Sequence, residues 1–198
     1  MPRDGKKTKI RILNDAISLV YENGFSGTTI DSILERTGLT KGALFYHFKD
    51  KATLGYEMIK HFKETDMQYL QQASEYSAKN STDPKSRLLK FVQWFIDFFD
   101  ELTEPHAGCL YASYIYEPEQ FGPEVKQIVA EGILEWREFL SFLMVEAKMD
   151  TSVGIASLAD MFTVILEGAF VTSKALNEPK LTANQMRHYQ KYLTLLLQ

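Results

Sequence analysis

Cysteine is nearly missing from this chain: Cys109 is the single example in 198 residues. One thiol excludes an intramolecular disulfide, a CxxC redox pair and a thiolate zinc cluster, which fits a reducing cytosol. Long apolar runs are missing too. No segment approaches the roughly 20 uninterrupted apolar residues of a membrane span, and the basic opening Met-Pro-Arg-Asp-Gly-Lys-Lys leads into no apolar run. Neither export nor membrane insertion is expected, and the expected location is cytoplasmic. No stretch keeps a period of two long enough to suggest a sheet, and there is no internal repeat or low-complexity tract. Catalytic signatures are equally scarce. There is no GxSxG, Walker loop or HExxH, and the four histidines, His47, His61, His106 and His188, are scattered. His106 and Cys109 stand three apart, but two donors without a third do not make a metal site. The expectation is a protein that is not an enzyme and holds no metal or cofactor.

What is present is apolar content and helical periodicity. At 45% hydrophobic, 198 residues can bury one good core or two small ones. Net charge is −4, unevenly divided: residues 1–51 hold nine Lys or Arg against six Asp or Glu, a net of +3, leaving −7 for the remainder. A positive lobe beside a negative one steers the N-terminal end toward phosphate.

Residues 6–23 read as a helix, with Ile10, Leu13, Ala16, Ile17, Val20 and Tyr21 at three- and four-residue steps and a stop at Asn23-Gly24. Phe25 is expected to plug the core beneath that turn. A second helix starts at Thr28 or Thr29 and carries Ile30, Ile33 and Leu34 to Gly38, a glycine suited to a left-handed helix end. Thr40 can cap a third helix, on which Leu44 and Phe48 share one face while Lys41, Gly42, Phe45 and Tyr46 fall away from it. A short helix with a narrow core stripe and a polar, aromatic outer face is suited to a major groove. From Asp50, a good cap, a connecting helix runs toward about Tyr76. Further helices are expected over 85–102, 108–117, 123–148, 152–176 and 182–197, with breaks at Glu104-Pro105, Glu117-Pro118, Phe121-Gly122-Pro123, Asp150 and Glu178-Pro179. The expected fold is all-α: a three-helix helix-turn-helix domain over 1–51, then a helical regulatory and dimerisation domain over 52–198 whose residues 52–77 form the connecting helix.

The 85–102 segment is apolar on two sides, with Leu88, Val92, Phe95 and Phe99 on one and Phe91, Trp94 and Phe98 on the other. These rings, with Trp136, Phe139 and Phe162, either fill a core or line a cavity closed by a few polar groups such as Cys109, Tyr111, Tyr114 and Glu167. The last two helices offer more apolar surface than one inward face needs. Leu158, Phe162, Ile165 and Ala169, with Tyr189, Tyr192, Leu193, Leu195 and Leu196, are therefore expected at a four-helix dimer contact, or else central in the monomer.

Thr28-Thr29-Ile30, Gly38-Leu39-Thr40-Lys41-Gly42 and Leu44-Phe45-Tyr46-His47-Phe48-Lys49-Asp50-Lys51 with Leu54 together resemble the N-terminal signature of TetR-family transcriptional regulators, over about residues 9–55. Gly108-Cys109-Leu110 and Leu166-Glu167-Gly168-Ala169 more weakly resemble patterns in the regulatory domains of part of that family. The resemblance implies a homodimeric repressor that reads a near-palindromic DNA operator and answers a small-molecule effector held in a pocket of the C-terminal domain. It nominates Thr29, Thr40, Lys41, Gly42, Ala43, Phe45, Tyr46, His47 and Lys51 for DNA. Lys41 is favoured for a base edge or nearby phosphate, the threonines, Tyr46, His47 and Lys51 for phosphates, and Gly42 and Ala43 for close approach. Position 45, commonly tyrosine in the family, is Phe45 here and keeps the ring without the phenol donor. The effector is expected to be largely apolar or aromatic. A ligand-independent architectural DNA-binding protein, and a helical enzyme with an incidental helix-turn-helix, are the alternatives.

Overall fold

The computed structural model describes residues 5–149, 152 and 154–198. Among them every regular element is a helix: α1 (Gly5–Gly27), α2 (Ile30–Thr37), α3 (Lys41–His47), α4 (Lys51–Asn80), α5 (Pro84–Asp100), α6 (Leu110–Tyr116), α7 (Pro123–Glu146), α8 (Ile155–Leu176) and α9 (Leu181–Leu196), with a 3-10 turn over Pro118–Gln120. The expected break at Asp150 lies outside the described residues. The stop expected at Asn23-Gly24 proves to be a kink. Gly24 takes φ 73° and ψ 167°, which only glycine adopts without strain, and the chain then completes one more turn to Gly27. Phe25 is buried just past the kink.

The chain divides into two compact units, and the division differs from the boundary expected after residue 51. The first takes the N-terminal stretch to Thr65 together with Cys109–Ala130; the second takes Asp66–Gly108 and Glu131–Gln198. Two long helices, α4 and α7, therefore each contribute to both.

In the first unit, Ile12, Leu13, Ala16, Leu19 and Val20 form the buried stripe of α1, and Ile33, Leu44, Phe48, Leu54, Met58 and Ile59 supply the other helices' buried faces. Gly55 on α4 lets two rings come close. A Cβ there would lie 2.8 Å from Phe25 Cζ and 3.2 Å from Phe121 Cδ1, and the Phe25 and Phe121 centroids are 4.2 Å apart.

The second unit is built around α5, α8 and α9, with α9 packed against the other two. The Tyr189 hydroxyl donates to the Leu158 carbonyl at 3.0 Å, and Gln190 Nε2 donates to the Leu89 carbonyl at 2.9 Å. Lys180 Nζ donates to the carbonyls of Asp100 and Leu102, meeting the unpaired carbonyls at the end of α5 with a cation.

Gly55→Ala separates helix propensity from packing. Alanine is the better helix former by about 1 kcal/mol, whereas overpacking costs about 1–3 kcal/mol. The variant is expected to melt below the wild type; a higher melting temperature would show that Phe25 and Phe121 give way freely.

Candidate nucleic-acid interface

Each end of the α2–α3 pair is set by its own residues. The Thr29 hydroxyl accepts the Ser32 N–H at 3.0 Å while Ser32 Oγ accepts the Thr29 N–H at 3.0 Å, a reciprocal cap that starts α2. Gly38 ends it in the left-handed conformation, φ 65° and ψ 21°, with its N–H on the Leu34 carbonyl at 2.9 Å. Two residues later Thr40 caps α3 by accepting the Ala43 N–H at 3.3 Å. Leu44 and Phe48 are then both buried, and that leaves the opposite face of α3 in solvent.

Lys41, Gly42, Phe45 and Tyr46 are exposed on this face, Tyr46 the most at 83%. The Lys41 ammonium stands 6.0 Å from the Phe45 ring centroid, so cation and ring share one patch. Nothing lies within 4 Å of where a Cβ on Gly42 would be, so backbone is open to approach there. Thr29 and Thr40 are exposed at the two helix starts; Ala43 and His47 are half-buried at one edge. At that edge a groove of about 750 Å³ runs between α3 and the start of α1, lined by Lys7, Thr8 and Arg11 opposite Ala43, Tyr46 and His47. The α1 residues were not nominated from the sequence; the cue was the run Lys6-Lys7-Thr8-Lys9, which lies at the N-terminal end of α1.

Lys51 differs from the other nominated residues. Its ammonium donates to the Phe25 carbonyl at 2.8 Å and lies 4.6 Å from the Phe25 ring centroid. Burial holds its pKa below the usual lysine range, against the pull of the Glu117 carboxylate. The side chain thus ties the start of α4 to the kink in α1 and does not project from the outer face of α3. Asp50 caps α4 as expected, accepting the Thr53 N–H at 2.7 Å, and the Thr53 bonds keep its carboxyl below the ordinary range.

The nominated effector residues fall into two sets. Phe91, Trp136, Phe139 and Phe162 pack ring on ring in the second unit, with Phe91 and Phe139 centroids 5.2 Å apart and Trp136 stacked on Phe162 at 5.4 Å. Trp94 and Phe98 are half-buried and stack on each other at 5.6 Å beside Tyr69. Cys109, Tyr111 and Tyr114 belong to the first unit instead, where Tyr111 meets Phe62 edge-on and Tyr114 meets Phe121. The polar focus of the aromatic cluster is a residue not singled out beforehand. Asp66 accepts the Trp136 indole N–H at 2.8 Å, and burial, with the nearby Glu167 and Glu135 charges, pushes its pKa up to about 6 against the indole's opposing bond. His106 is neutral for the same reason: burial lowers it to about 4, Nδ1 accepts the Gly108 N–H at 3.2 Å, and the ring stacks on Phe170 at 4.3 Å. Among the described residues no group of three or more His, Cys, Asp or Glu is placed to hold a metal ion.

The expected dimer residues are also redistributed. Leu158, Phe162, Ala169, Tyr189 and Leu193 are buried within the single chain, so they are core; Ile165 and Leu196 pack partly against that core. Tyr192 does face outward. It is joined by Leu195 on α9, expected at the same contact, and by exposed apolar residues of α8 that had not been singled out: Met161, Val164, Val171 and Leu176. By length and composition α8 is apolar enough to cross a membrane, with a mean hydropathy of 1.6. Its inward face packs in the core, and its Asp160 is ion-paired with Arg137 of α7 at 2.7 Å.

A capped helix pair joined by a left-handed glycine and presenting one solvent-facing helix defines a helix-turn-helix motif. Two family models match the chain: bacterial regulatory proteins, tetR family, over residues 12–57, and tetracyclin repressor-like, C-terminal domain, over residues 84–189. The second alone covers more than half of the sequence, and the chain belongs to the TetR family of transcriptional regulators, which are not enzymes. It is 35% identical over 90 residues to the HTH-type transcriptional regulator AcrR of Shigella flexneri, covering 46% of this chain and 40% of that protein. To TtgR of Pseudomonas putida it is 30% identical over 100 residues, 50% and 45% of the two chains. The chain thus spans about half the length of the curated relatives it matches. The fold is shared over nearly the whole chain with a TetR-family regulator from Agrobacterium tumefaciens, at a TM-score of 0.78 and 16% identity, covering 96% of this chain and 98% of that one.

Asp66 keeps its proton about two pH units higher in the folded chain than in the unfolded one, where the ordinary value is 3.8. Between about pH 4 and pH 6 the unfolded state binds fewer protons, so stability falls as pH rises through that window. Asp66→Asn is therefore expected to be more stable than the wild type at pH 7, by up to about 3 kcal/mol, and equal to it below about pH 4. Denaturant unfolding at both pH values checks this; equal stability at pH 7 would mean that the ionised carboxylate is well solvated.

Proposed function

We propose that this chain is a homodimeric repressor that reads a near-palindromic operator with α3 and leaves it when a small, largely apolar or aromatic molecule enters the second unit. The observation that carries the reading is the outward face of α3, where Lys41, Phe45 and Tyr46 surround open backbone at Gly42 on a helix anchored from behind by Leu44 and Phe48. Lys41 meets a base edge or adjacent phosphate, and Phe45 offers an apolar contact of the kind a thymine methyl provides. Thr29, Thr40, Tyr46 and His47 hold phosphates, joined by Lys7, Thr8 and Arg11 across the groove. Gly42 and Ala43 let the helix approach. Lys51 supports the domain from within.

Pairing rests on the outward stripe of α8. Met161, Val164, Gly168 and Val171 recur at steps of three and four, and Tyr192 and Leu195 extend the apolar surface on α9. Two copies in contact would cover that stripe and present two α3 helices to two half-sites, so a symmetric protein calls for a near-palindromic site. Release follows from differential affinity: an effector that prefers the arrangement unfit for DNA draws the population toward it. The ring cluster around the Asp66–Trp136 pair supports an aromatic effector met by few polar atoms. Such a protein acts in the cytosol, where the DNA is.

Selection from random double-stranded DNA is expected to enrich one palindromic sequence; no enrichment would overturn the reading. On that operator Lys41→Ala should cost about 1–3 kcal/mol if the contact is to a base, or lower the salt slope by about one unit if it is to a phosphate. Val164→Asp puts a charge into the paired stripe and should give a folded monomer with weakened operator binding. Sedimentation of this variant at the wild-type mass would place the interface elsewhere.

A further inference from the structure

The kink in α1 builds an anion site that the chain fills with its own carboxylate. With Gly24 at φ 73°, the successive amides of Phe25 and Ser26 point the same way, a concavity of backbone donors that favours negative charge. Glu117, at the C-terminal end of α6, occupies it. Its Oε1 accepts the Phe25 N–H at 3.0 Å, and its Oε2 accepts the Ser26 N–H at 2.9 Å and the Ser26 hydroxyl as well. A Cβ at Gly24 would come within 3.1 Å of Oε1, so the glycine serves the turn and the approach together. Lys51 holds the same elbow from the other side through the Phe25 carbonyl, and Phe121, four residues beyond Glu117, lies against the Phe25 ring. The Ser26 and Phe25 bonds, with the Lys51 charge, keep the Glu117 carboxyl below the ordinary range, so it is ionised at neutral pH.

The elbow leads directly into the DNA-reading pair. Thr28 returns its N–H and its hydroxyl to the Gly24 carbonyl at 3.2 Å and 2.8 Å, and Thr29, the next residue, caps α2. Where the elbow sits therefore decides where α2 begins. Glu117 also lies inside the stretch that matches the family's C-terminal domain, residues 84–189, yet packs in the first compact unit. We propose that Glu117 is the positioning residue by which the Cys109–Ala130 segment holds α2 and α3 in DNA-reading register, so that weakening its grip lowers operator affinity without removing any DNA contact. This rests on the DNA-binding reading above.

The test uses full-length Glu117→Ala and Glu117→Gln in two arms: amide hydrogen exchange, and affinity with salt dependence on the operator from the selection. In Glu117→Ala, exchange at Phe25, Ser26 and the first turn of α2 should speed at least tenfold. Operator affinity should fall at least tenfold with an unchanged salt slope, because no phosphate contact is lost. Glu117→Gln, which keeps an acceptor but not the charge, should fall between Glu117→Ala and the wild type and also covers the case of an alanine variant that does not fold. Operator affinity within twofold of the wild type in both variants overturns the proposal. So does unchanged protection at Phe25 and Ser26. A wild type that enriches no DNA sequence would sink the DNA-binding reading alone; the positioning role is then decided by whether α2 and α3 amides lose protection in Glu117→Ala or keep it.

Discussion

The burial of Leu44 and Phe48 is the constraint on which α3 depends. A seven-residue helix has too little hydrogen bonding of its own to persist in water, so it exists because its buried stripe is worth more than the order it costs. Leu44 is the buried residue of α3 itself, and Phe48, the extended residue that ends the helix, is buried just beyond it, so the helix is pinned at its middle and at its end. With both inward, Lys41, Phe45 and Tyr46 must face out, and the chemistry of that outer face follows from the packing of the inner one.

The same logic reaches back along the chain. The stripe of α3 needs a partner surface, and α1 and α4 supply buried faces in the same compact unit. Those two long helices are in turn joined near the kink, where Lys51, Glu117 and the Phe25–Gly55–Phe121 approach converge within a few residues. Charge and close packing act together there: the carboxylate satisfies donors that the kink exposes, and the Phe25 and Phe121 rings pack against each other beside it. The first unit is thus an N-terminal helix-turn-helix completed by a segment that comes from much later in the sequence.

The second unit follows a different rule. Its interior is made almost wholly of rings and aliphatic chains, and three of the polar groups among them have local partners, Tyr189 on Leu158, Asp66 on Trp136 and His106 on Gly108, whereas Thr182 Oγ1 and Arg87 Nε are buried without a hydrogen bond. Its exterior carries an apolar stripe on α8 that the single chain leaves in water. That stripe is apolar surface beyond what the helix's own core covers.

Periodicity, caps and turn residues are local signals, and by themselves they determined the helices of the described residues to within a few positions, the glycine turn at Gly38 and the outward set on α3, while the family came from the resemblance of the Thr28–Leu54 motifs. These are properties of neighbours in sequence, where spacing alone says which side chains share a face. Only the tertiary structure decided which apolar face is core and which is left over, because a stripe reads the same whether it meets its own chain or another; so Leu158, Ala169, Tyr189 and Leu193 moved inward and Val164 and Val171 took the outer place. Contacts between distant residues were equally invisible. Glu117 lies 92 positions from Phe25 and Trp136 lies 70 from Asp66, and one sequence carries no mark that the folded chain will close these pairs. Lys51 shows the limit most plainly: its place at a helix start suggested a phosphate, but the carbonyl that its ammonium meets is exposed by a kink whose geometry exists only after folding.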